Sequence, residues 1–305
     1  MALPLILDTD LGSDVDDALA LAYALRQPAL DLQLVTTVSE DTVLRARLAS
    51  HLCALADREE VEVAAGLSGA RDRPNWGGHE GEPLLAEVPL PPISERGAVE
   101  ALLATTAASR CALATIGMQS NVAAALAADQ QLPERIELTA VMGGVFGPAR
   151  RFDGPLLEDE GDHNLDVDRG AALHVLNAGL PLLYVPLDVT LRAPLLAADA
   201  DRLRDGDELC QALARLIDVW AERLQRSAAP PLPTDVVAFL HDPLTVACLA
   251  DRSFVEVHRK SVRAGAEGES VRTLVDDDDG AAADVVVNVD ARAFVEHWLV
   301  TVLGA

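Results

Sequence analysis

The sequence predicts an α/β protein with a mostly parallel central sheet and helices on both of its faces. Short apolar runs alternate with stretches of helical periodicity, which is the pattern of successive βα units. The runs are apolar throughout, as expected for parallel strands that are buried on both faces. Half of the 305 residues are hydrophobic, so the chain can form a sizeable core.

The predicted elements follow one another in a regular order. Strands are predicted at 3–7, 32–38, 111–116, 137–142 and 182–187, and helices at about 16–27, 42–56, 98–108, 121–128, 168–178 and 208–226. Another helix is predicted to begin near Asp242 or Pro243, because proline suits the first turn of a helix. We find no internal repeat and no long linker, so we expect a single domain over residues 1–305.

Composition excludes several classes of protein. The formal net charge is −25, whereas nucleic-acid binding depends on clustered Lys and Arg, so we expect no nucleic-acid partner. No apolar run approaches the roughly 18 residues of a membrane span, and the first residues lack the pattern of a secretory signal. The four cysteines lie far apart, without a CxxC pair, and are predicted to be buried thiols. We therefore expect a cytoplasmic protein with no membrane partner.

The segment DTDLGSDVDD at 8–17 gathers five aspartates directly behind the first predicted strand. Unpaired buried charges are costly, so such a cluster needs either solvent or a bound cation. One aspartate near a helix start is often only an N-cap, but five together predict a cation site, and their oxygens suit calcium or magnesium. Because ligands of open α/β sheets bind outside the carboxyl ends of the strands, we predict the active site at that edge. The acidic run at 276–279 is instead predicted to be a solvated turn.

Two other acidic motifs fit this segment poorly. No frame supplies the EF-hand pattern, which has glycine at loop position 6 and glutamate at position 12. A haloacid-dehalogenase-type phosphatase also begins with a strand ending in DxD, which would make Asp8 the nucleophile and Asp10 the acid. That motif continues with glycine, where this chain has Leu11, and its basic residue has no good counterpart, since the single lysine is Lys260. The phosphatase is therefore the weaker alternative.

Further motifs follow in a characteristic order. They are TTV at 36–38, GHEG at 78–81, IGMQSN at 116–121, VMGG at 141–144, HNLDVD at 163–168, LDVT at 187–190, HDPLTVA at 241–247 and NVDARAF at 288–294. With the acidic segment, they make the chain resemble the nucleoside hydrolases, the family of the inosine-uridine-preferring enzymes. The resemblance implies calcium-dependent hydrolysis of the N-glycosidic bond of ribonucleosides, which releases ribose and the free base. A neutral nucleoside also fits better than a nucleotide, because the chain lacks a GxxxxGK[ST] phosphate loop.

The resemblance assigns a role to several motif residues. Calcium would be held by Asp10, Asp17, the backbone carbonyl of Ser120 and Asp242. Asp10 would also act as the general base on metal-bound water, and His241 would protonate the leaving base. The residues expected to bind the substrate are Asp16, Asn164, Asp162, His79, Asp41 and Met142. A homodimer or homotetramer is expected as well.

Departures from the family pattern leave some alternatives open. The first motif is two residues longer than the form DxDPGxDD, so either Asp14 or Asp16 would contact the ribose. Asp41 stands where the family usually has an asparagine, and Asp162 stands in place of a glutamate. An alternative function is therefore a calcium-dependent nucleoside-binding or ribose-binding protein without turnover. The preference for purine or pyrimidine bases stays open.

Overall fold

A computed structural model describes residues 1–69, 84, 91–151, 154–156, 162–228 and 231–304. In this part of the chain a nine-stranded sheet forms the centre of the molecule. Its strands are β1 (Leu3–Thr9), β2 (Leu30–Thr37), β3 (Glu62–Ala65), β4 (Cys111–Thr115), β5 (Ile136–Met142), β6 (Leu182–Val185), β9 (Val255–Glu267), β10 (Ser270–Val275) and β11 (Ala281–Val289). A separate antiparallel pair consists of β7 (Pro194–Leu196) and β8 (Val236–Phe239). The strand order of the large sheet is β10-β9-β11-β6-β5-β4-β1-β2-β3.

The sheet is mostly parallel, as the sequence predicts. The seven strands from β11 to β3 in this order are parallel to their neighbours. Strand β9 is antiparallel to both β10 and β11. All five predicted strands are confirmed, whereas β3, the β7–β8 pair and the three strands near the C-terminus were not predicted. Strand β9 alternates exposed and half-buried residues over most of its length, so it lacks the continuous apolar run of a central strand.

Helices cover both faces of the sheet. They are α1 (Asp16–Arg26), α2 (Thr42–Leu55), α3 (Ala98–Ala108), α4 (Ser120–Ala128), α5 (Leu132–Arg135), α6 (His163–Asp166), α7 (Arg169–Leu176), α8 (Leu187–Thr190), α9 (Ala197–Arg204), α10 (Glu208–Ser227), α11 (His241–Ala250) and α12 (Ala291–Leu303). Successive residues of β1 point to opposite faces. Leu5 and Leu7 join one buried cluster with Leu244 of α11 and Trp298 of α12, whereas Ile6 joins a second cluster on the other face.

Other sequence predictions also agree with the structure. Helix α11 begins at His241, one residue before the earlier of its two predicted starts, so His241 and Asp242 share its first turn. All four cysteines are buried and free. The acidic run forms the turn between β10 and β11, where the Asp276 carboxylate accepts the backbone N–H groups of Asp278 and Asp279. Among the described residues, no helix is both long and apolar enough to cross a membrane.

Candidate active site

The carboxyl edge of the parallel sheet brings distant motifs together. Asp8 of β1 is in register with Thr36 of β2 and with Thr115 of β4. The segments that leave these strands therefore emerge side by side, and they carry the acidic segment, the TTV motif and the IGMQSN motif. Helix α11 packs against α1, which places Asp242 beside the first turn of α1.

Three buried carboxylates form the centre of this edge. Oxygens of Asp16, Asp17 and Asp242 lie within 4.8 Å of one another. The Asp242 backbone N–H donates to Asp16 Oδ2 (3.2 Å), and the Thr9 hydroxyl donates to Asp17 Oδ1. Burial raises the pKa of all three carboxyls well above 3.8, and neighbouring carboxylates raise it further. Such a set of hard oxygen donors with uncompensated charge fits a divalent cation.

Asp10 lies next to this group, although it is not one of the three mutually close residues. Its negative charge raises the pKa of Asp17, Asp16 and Asp242. Gly117 makes room for it, because a Cβ at residue 117 would lie 2.7 Å from Asp10 Oδ1 and 2.9 Å from Asp10 N. The absence of a side chain at 117 therefore allows the segment after β4 to approach Asp10 closely.

The buried carboxylate of Asp8 lies on strand β1, two residues before Asp10. Asp8 Oδ1 accepts hydrogen bonds from Thr36 Oγ1 (2.6 Å) and Asn121 Nδ2 (2.7 Å). Asn121 also donates to the Thr37 carbonyl (3.0 Å), which ties the start of α4 to the end of β2. Asp8 Oδ2 has no hydrogen-bond partner in the part of the chain that is described. Burial raises the pKa of Asp8 to about 7.

His241 stands half-buried at the start of α11. Its Nδ1 lies 2.7 Å from Thr190 Oγ1 of α8, and its ring packs against Phe239 at a centroid distance of 5.7 Å. Burial, and secondarily the charge of Arg151, lowers the pKa of His241 to about 3. The imidazole is therefore neutral near pH 7, and Thr190 fixes its orientation.

The residues predicted to contact the sugar lie at the ends of β4 and β5. Asn164 Nδ2 donates to the Ile116 carbonyl (2.8 Å) and the Met142 carbonyl (3.3 Å), so this amide bridges the two strand ends. Met142 is buried beside it, with its Sδ 3.3 Å from Asn164 Nδ2. Asp162 is the N-cap of α6 and accepts the Leu165 N–H at 3.1 Å, while burial raises its pKa to about 7.

Two more predicted site residues begin or cap helices, and a third is not described. Asp41 is exposed and caps α2 by accepting the Leu44 N–H at 3.0 Å. Ser120 begins α4, and its hydroxyl donates to Asp168 Oδ2 at 2.5 Å. His79 lies outside the described residues.

Two residues near the site had no role in the sequence analysis. Thr190 belongs to the quoted LDVT motif, but its hydrogen bond to His241 joins residues that are 51 positions apart. Arg45 is buried, and it donates to the backbone of the acidic segment. A signal for Arg45 does exist in the sequence, because this arginine falls on the otherwise apolar buried face of α2.

The fold and site define a class of protein, namely an α/β protein with a buried acidic ligand site at the carboxyl edge of its sheet. The family model described as inosine-uridine preferring nucleoside hydrolase matches residues 5–296. A pyrimidine-specific ribonucleoside hydrolase, RihA, of Salmonella paratyphi C is 31% identical over 320 residues, which cover 97% of each chain. RihA of Escherichia coli is 30% identical over 319 residues, with the same coverage.

Solved structures agree with these relatives. A purine-preferring ribonucleoside hydrolase from Gardnerella vaginalis superposes with a TM-score of 0.82 at 25% identity, covering 99% of this chain and 98% of its own. A plant nucleoside hydrolase, PpNRh1, has the same fold with a TM-score of 0.82 at 21% identity, over 100% of both chains. The chain therefore belongs to the inosine-uridine preferring nucleoside hydrolase family, and it is an N-ribohydrolase with a single α/β domain.

Proposed function

We propose that this protein hydrolyses the N-glycosidic bond of ribonucleosides in a calcium-dependent reaction, releasing ribose and the free base. The observation that carries the proposal is the group of three buried carboxylates, Asp16, Asp17 and Asp242, whose oxygens lie within 4.8 Å of one another. Membership of the family supports the reaction, and the donor set supports the cation.

The proposed calcium ligands are Asp10, Asp17, the Ser120 backbone carbonyl and Asp242. Carboxylate and carbonyl oxygens are the donors that calcium prefers, and its flexible coordination tolerates an irregular set. When bound, the cation neutralises the carboxylates and makes a nearby water a better nucleophile. Asp16 is proposed to bind ribose hydroxyls, and the hydrogen bond from the Asp242 N–H to its Oδ2 orients the carboxylate. Of the two alternatives, Asp14 and Asp16, we propose Asp16 for this contact, and its burial beside Asp17 and Asp242 supports that choice.

Asp10 is proposed as the general base that takes a proton from the attacking water. Its position beside the three carboxylates supports this role, because a base there is close to a water held by the proposed cation. Hydrolysis also passes through an oxocarbenium-like state in which positive charge develops on the sugar. Fixed carboxylates that already face that position stabilise the charge without reorganising. The acidic segment would thus have two roles: it would bind the calcium ion, and it would stabilise the positive charge that develops on the sugar in the transition state.

His241 is proposed to protonate the departing base. The Thr190 hydroxyl at 2.7 Å holds Nδ1, so Nε2 is the ring nitrogen left for the substrate. Burial keeps the imidazole of the substrate-free protein neutral, so the acid role requires that bound substrate raise the pKa of His241. Natural bases need this proton, since they are poor leaving groups as anions.

The remaining sugar contacts are proposed for Asn164, Asp162, Met142, Asp41 and His79. Asn164 is the best supported of these, because both hydrogen bonds of its Nδ2 run to strand ends and orient the amide. Asp41 is the least supported, because its carboxylate already caps α2. A homodimeric or homotetrameric assembly and a cytoplasmic location stay predictions.

A substrate panel tests the proposal. Purified protein would be incubated with uridine, cytidine, inosine, adenosine and guanosine, with calcium or with excess EDTA, and free ribose would be measured. We expect calcium-dependent ribose release from at least one nucleoside, and little release from the 5′-monophosphates. The relative rates give the base preference, on which the names of the relatives differ. Absence of release from every nucleoside with calcium bound would contradict the proposal.

A further inference from the structure

Arg45 is a buried cation beside the acidic site. It lies on α2 with 3% of its surface exposed, and among the described residues it is the one arginine or lysine that is buried. Burying a guanidinium is costly unless its N–H groups are hydrogen-bonded. A buried arginine at the edge of a ligand site therefore needs a structural reason.

Each nitrogen of the guanidinium has a partner. Nη1 donates to the Asp10 carbonyl and, at 2.9 Å, to the Leu11 carbonyl. Nη2 donates to Ser13 Oγ at 2.8 Å, and Nε donates to the Ser39 carbonyl at 2.9 Å. All four acceptors are neutral oxygens, and no carboxylate among the described residues is ion-paired with Arg45. That charge acts favourably on Asp17.

These hydrogen bonds join two segments with unusual backbone geometry. In the acidic segment Gly12 has φ +108°, and after β2 the residues Ser39 and Glu40 have φ +75° and +47°. Glycine adopts positive φ readily, but Ser39 and Glu40 seldom do, so the segment after β2 needs external contacts to keep its conformation. The planar side chain of Arg45, with its five donors, contacts both segments. The acidic segment is also two residues longer than the commoner family form.

We propose that Arg45 is a positioning residue, which holds residues 10–13 in the conformation that allows Asp10 and Asp17 to bind the cation together. The inference rests on the proposed calcium site. Arg45 contacts the backbone that carries Asp10, and it does not reach the sugar or the cation itself. Its loss should therefore first lower the affinity for calcium, and a bound ion should restore the position of Asp10 and with it the chemical step.

The test compares Arg45→Gln with Arg45→Lys, using calcium titration calorimetry of the metal-stripped full chain. We expect Arg45→Gln to weaken calcium binding by about 10- to 100-fold, the usual effect of losing a residue that orients metal ligands. Arg45→Lys keeps the charge but cannot reach four oxygens at once, so it should recover only part of the loss. Arg47→Gln, a half-buried arginine on the same helix, is the matched control and should bind calcium like the wild type.

A second set of measurements separates positioning from general destabilisation. At saturating calcium, kcat of Arg45→Gln should return towards the wild-type value, whereas a loss of fold or of a catalytic group would not be rescued. Ser13→Ala removes only the 2.8 Å contact and should weaken binding less, with no further loss when combined with Arg45→Gln. Should Arg45→Gln fail to fold, Ser13→Ala and Arg45→Lys carry the same test.

The outcomes distinguish this inference from the proposed function. Wild-type calcium affinity in folded Arg45→Gln, or in both Ser13→Ala and Arg45→Lys, would overturn the positioning role while leaving the proposed function intact. Failure of the wild type itself to bind calcium would instead overturn the proposed site.

Discussion

The backbone amide of Asp242 donates a 3.2 Å hydrogen bond to the Asp16 carboxylate, although the two residues are 226 positions apart. Both lie in the first turn of a helix, α11 and α1 respectively. The unsatisfied N–H groups of a helix start favour negative charge, so each helix offsets part of the repulsion between the carboxylates. The helix starts offset only part of this repulsion, because the pKa of the Asp16 and Asp242 carboxyls is still raised well above 3.8.

Replacing Asp242 by Asn should therefore have opposite effects with and without metal. In EDTA the variant should be more stable than the wild type, because a buried repulsive charge is removed; a change of about 1 kcal/mol corresponds to about 2 °C in Tm. In calcium the variant should lose most of the stabilisation that the wild type gains, together with its activity. Calorimetric melting under both conditions measures this.

The exposed Asp277 provides the matched control for that variant. Asp277→Asn should change Tm very little under either condition, as expected for a surface site. A destabilised Asp242→Asn protein in EDTA would show that the carboxylate is compensated within the fold, contrary to the account.

The stability of the metal-free protein should fall as the pH rises from about 4 to about 7. Burial raises the pKa of Asp8 and of Asp162 to about 7 from an ordinary value of 3.8. Between these values the two carboxyls bind more protons in the folded protein than in the unfolded chain, and the raised pKa of the three clustered carboxyls adds to this effect. They outweigh His241, whose lowered pKa acts in the opposite direction, so stability is greatest at the acid end and decreases towards neutral pH. Urea unfolding in EDTA at several pH values measures the trend, and a free energy of unfolding that rises from pH 5 to pH 7 would contradict it.

The strands that carry this site were predicted because they are buried on both faces, which leaves a continuous apolar run in the sequence. Strand β10 was not predicted, although it contacts the segment that follows β5. The Thr273 hydroxyl accepts a hydrogen bond from the Val145 N–H and donates one to the Val145 carbonyl. Its half-exposed residues carry no such run. Edge strands of this kind are defined by tertiary pairing more than by local pattern.

The site itself was predicted only in part, for a physical reason. Motifs identify aspartates, but they do not say which carboxylate oxygens converge, and the structure groups Asp16 with Asp17 and Asp242. Arg45 could not be assigned because most of its acceptors are backbone carbonyls, which every residue has. Contacts of this kind become visible only once the chain is folded.

Gly117→Ala should impair hydrolysis without unfolding the protein. Its Cβ would lie 2.7 Å from Asp10 Oδ1, so the carboxylate or the adjoining strand must move. A displacement of about 1 Å at a reacting group can lower the rate about 100-fold. Steady-state ribose release measures the effect.

Gly170→Ala serves as the control for that substitution, because its nearest neighbour would be Asp168 Oδ1 at 3.8 Å, an ordinary contact. It should leave activity unchanged. Equal activity of the two variants would show that the position of Asp10 does not matter for the reaction.

His241→Ala should discriminate between leaving groups. Hydrolysis of uridine or inosine should fall by about 100-fold or more, the contribution expected of a general acid. Hydrolysis of 4-nitrophenyl riboside should fall far less, because nitrophenolate departs without a proton. A similar loss on both substrates would contradict the acid role.

Thr190→Val should also slow the hydrolysis of natural nucleosides more than that of 4-nitrophenyl riboside, but by a smaller factor than His241→Ala. It removes the 2.7 Å hydrogen bond that orients His241, at an expected cost of about tenfold on natural nucleosides. Thr190→Ser keeps the hydroxyl and should retain most of the activity. A Thr190→Val enzyme with unchanged rates would show that the hydrogen bond does not orient the ring for catalysis.

Titration of calcium into metal-stripped protein, with bound calcium and ribose release measured on the same samples, tests the central claim most directly. We predict that both rise together and saturate at about one ion per chain, as expected of a single carboxylate site. Full ribose release in excess EDTA, or calcium binding that leaves the rate unchanged, would contradict it.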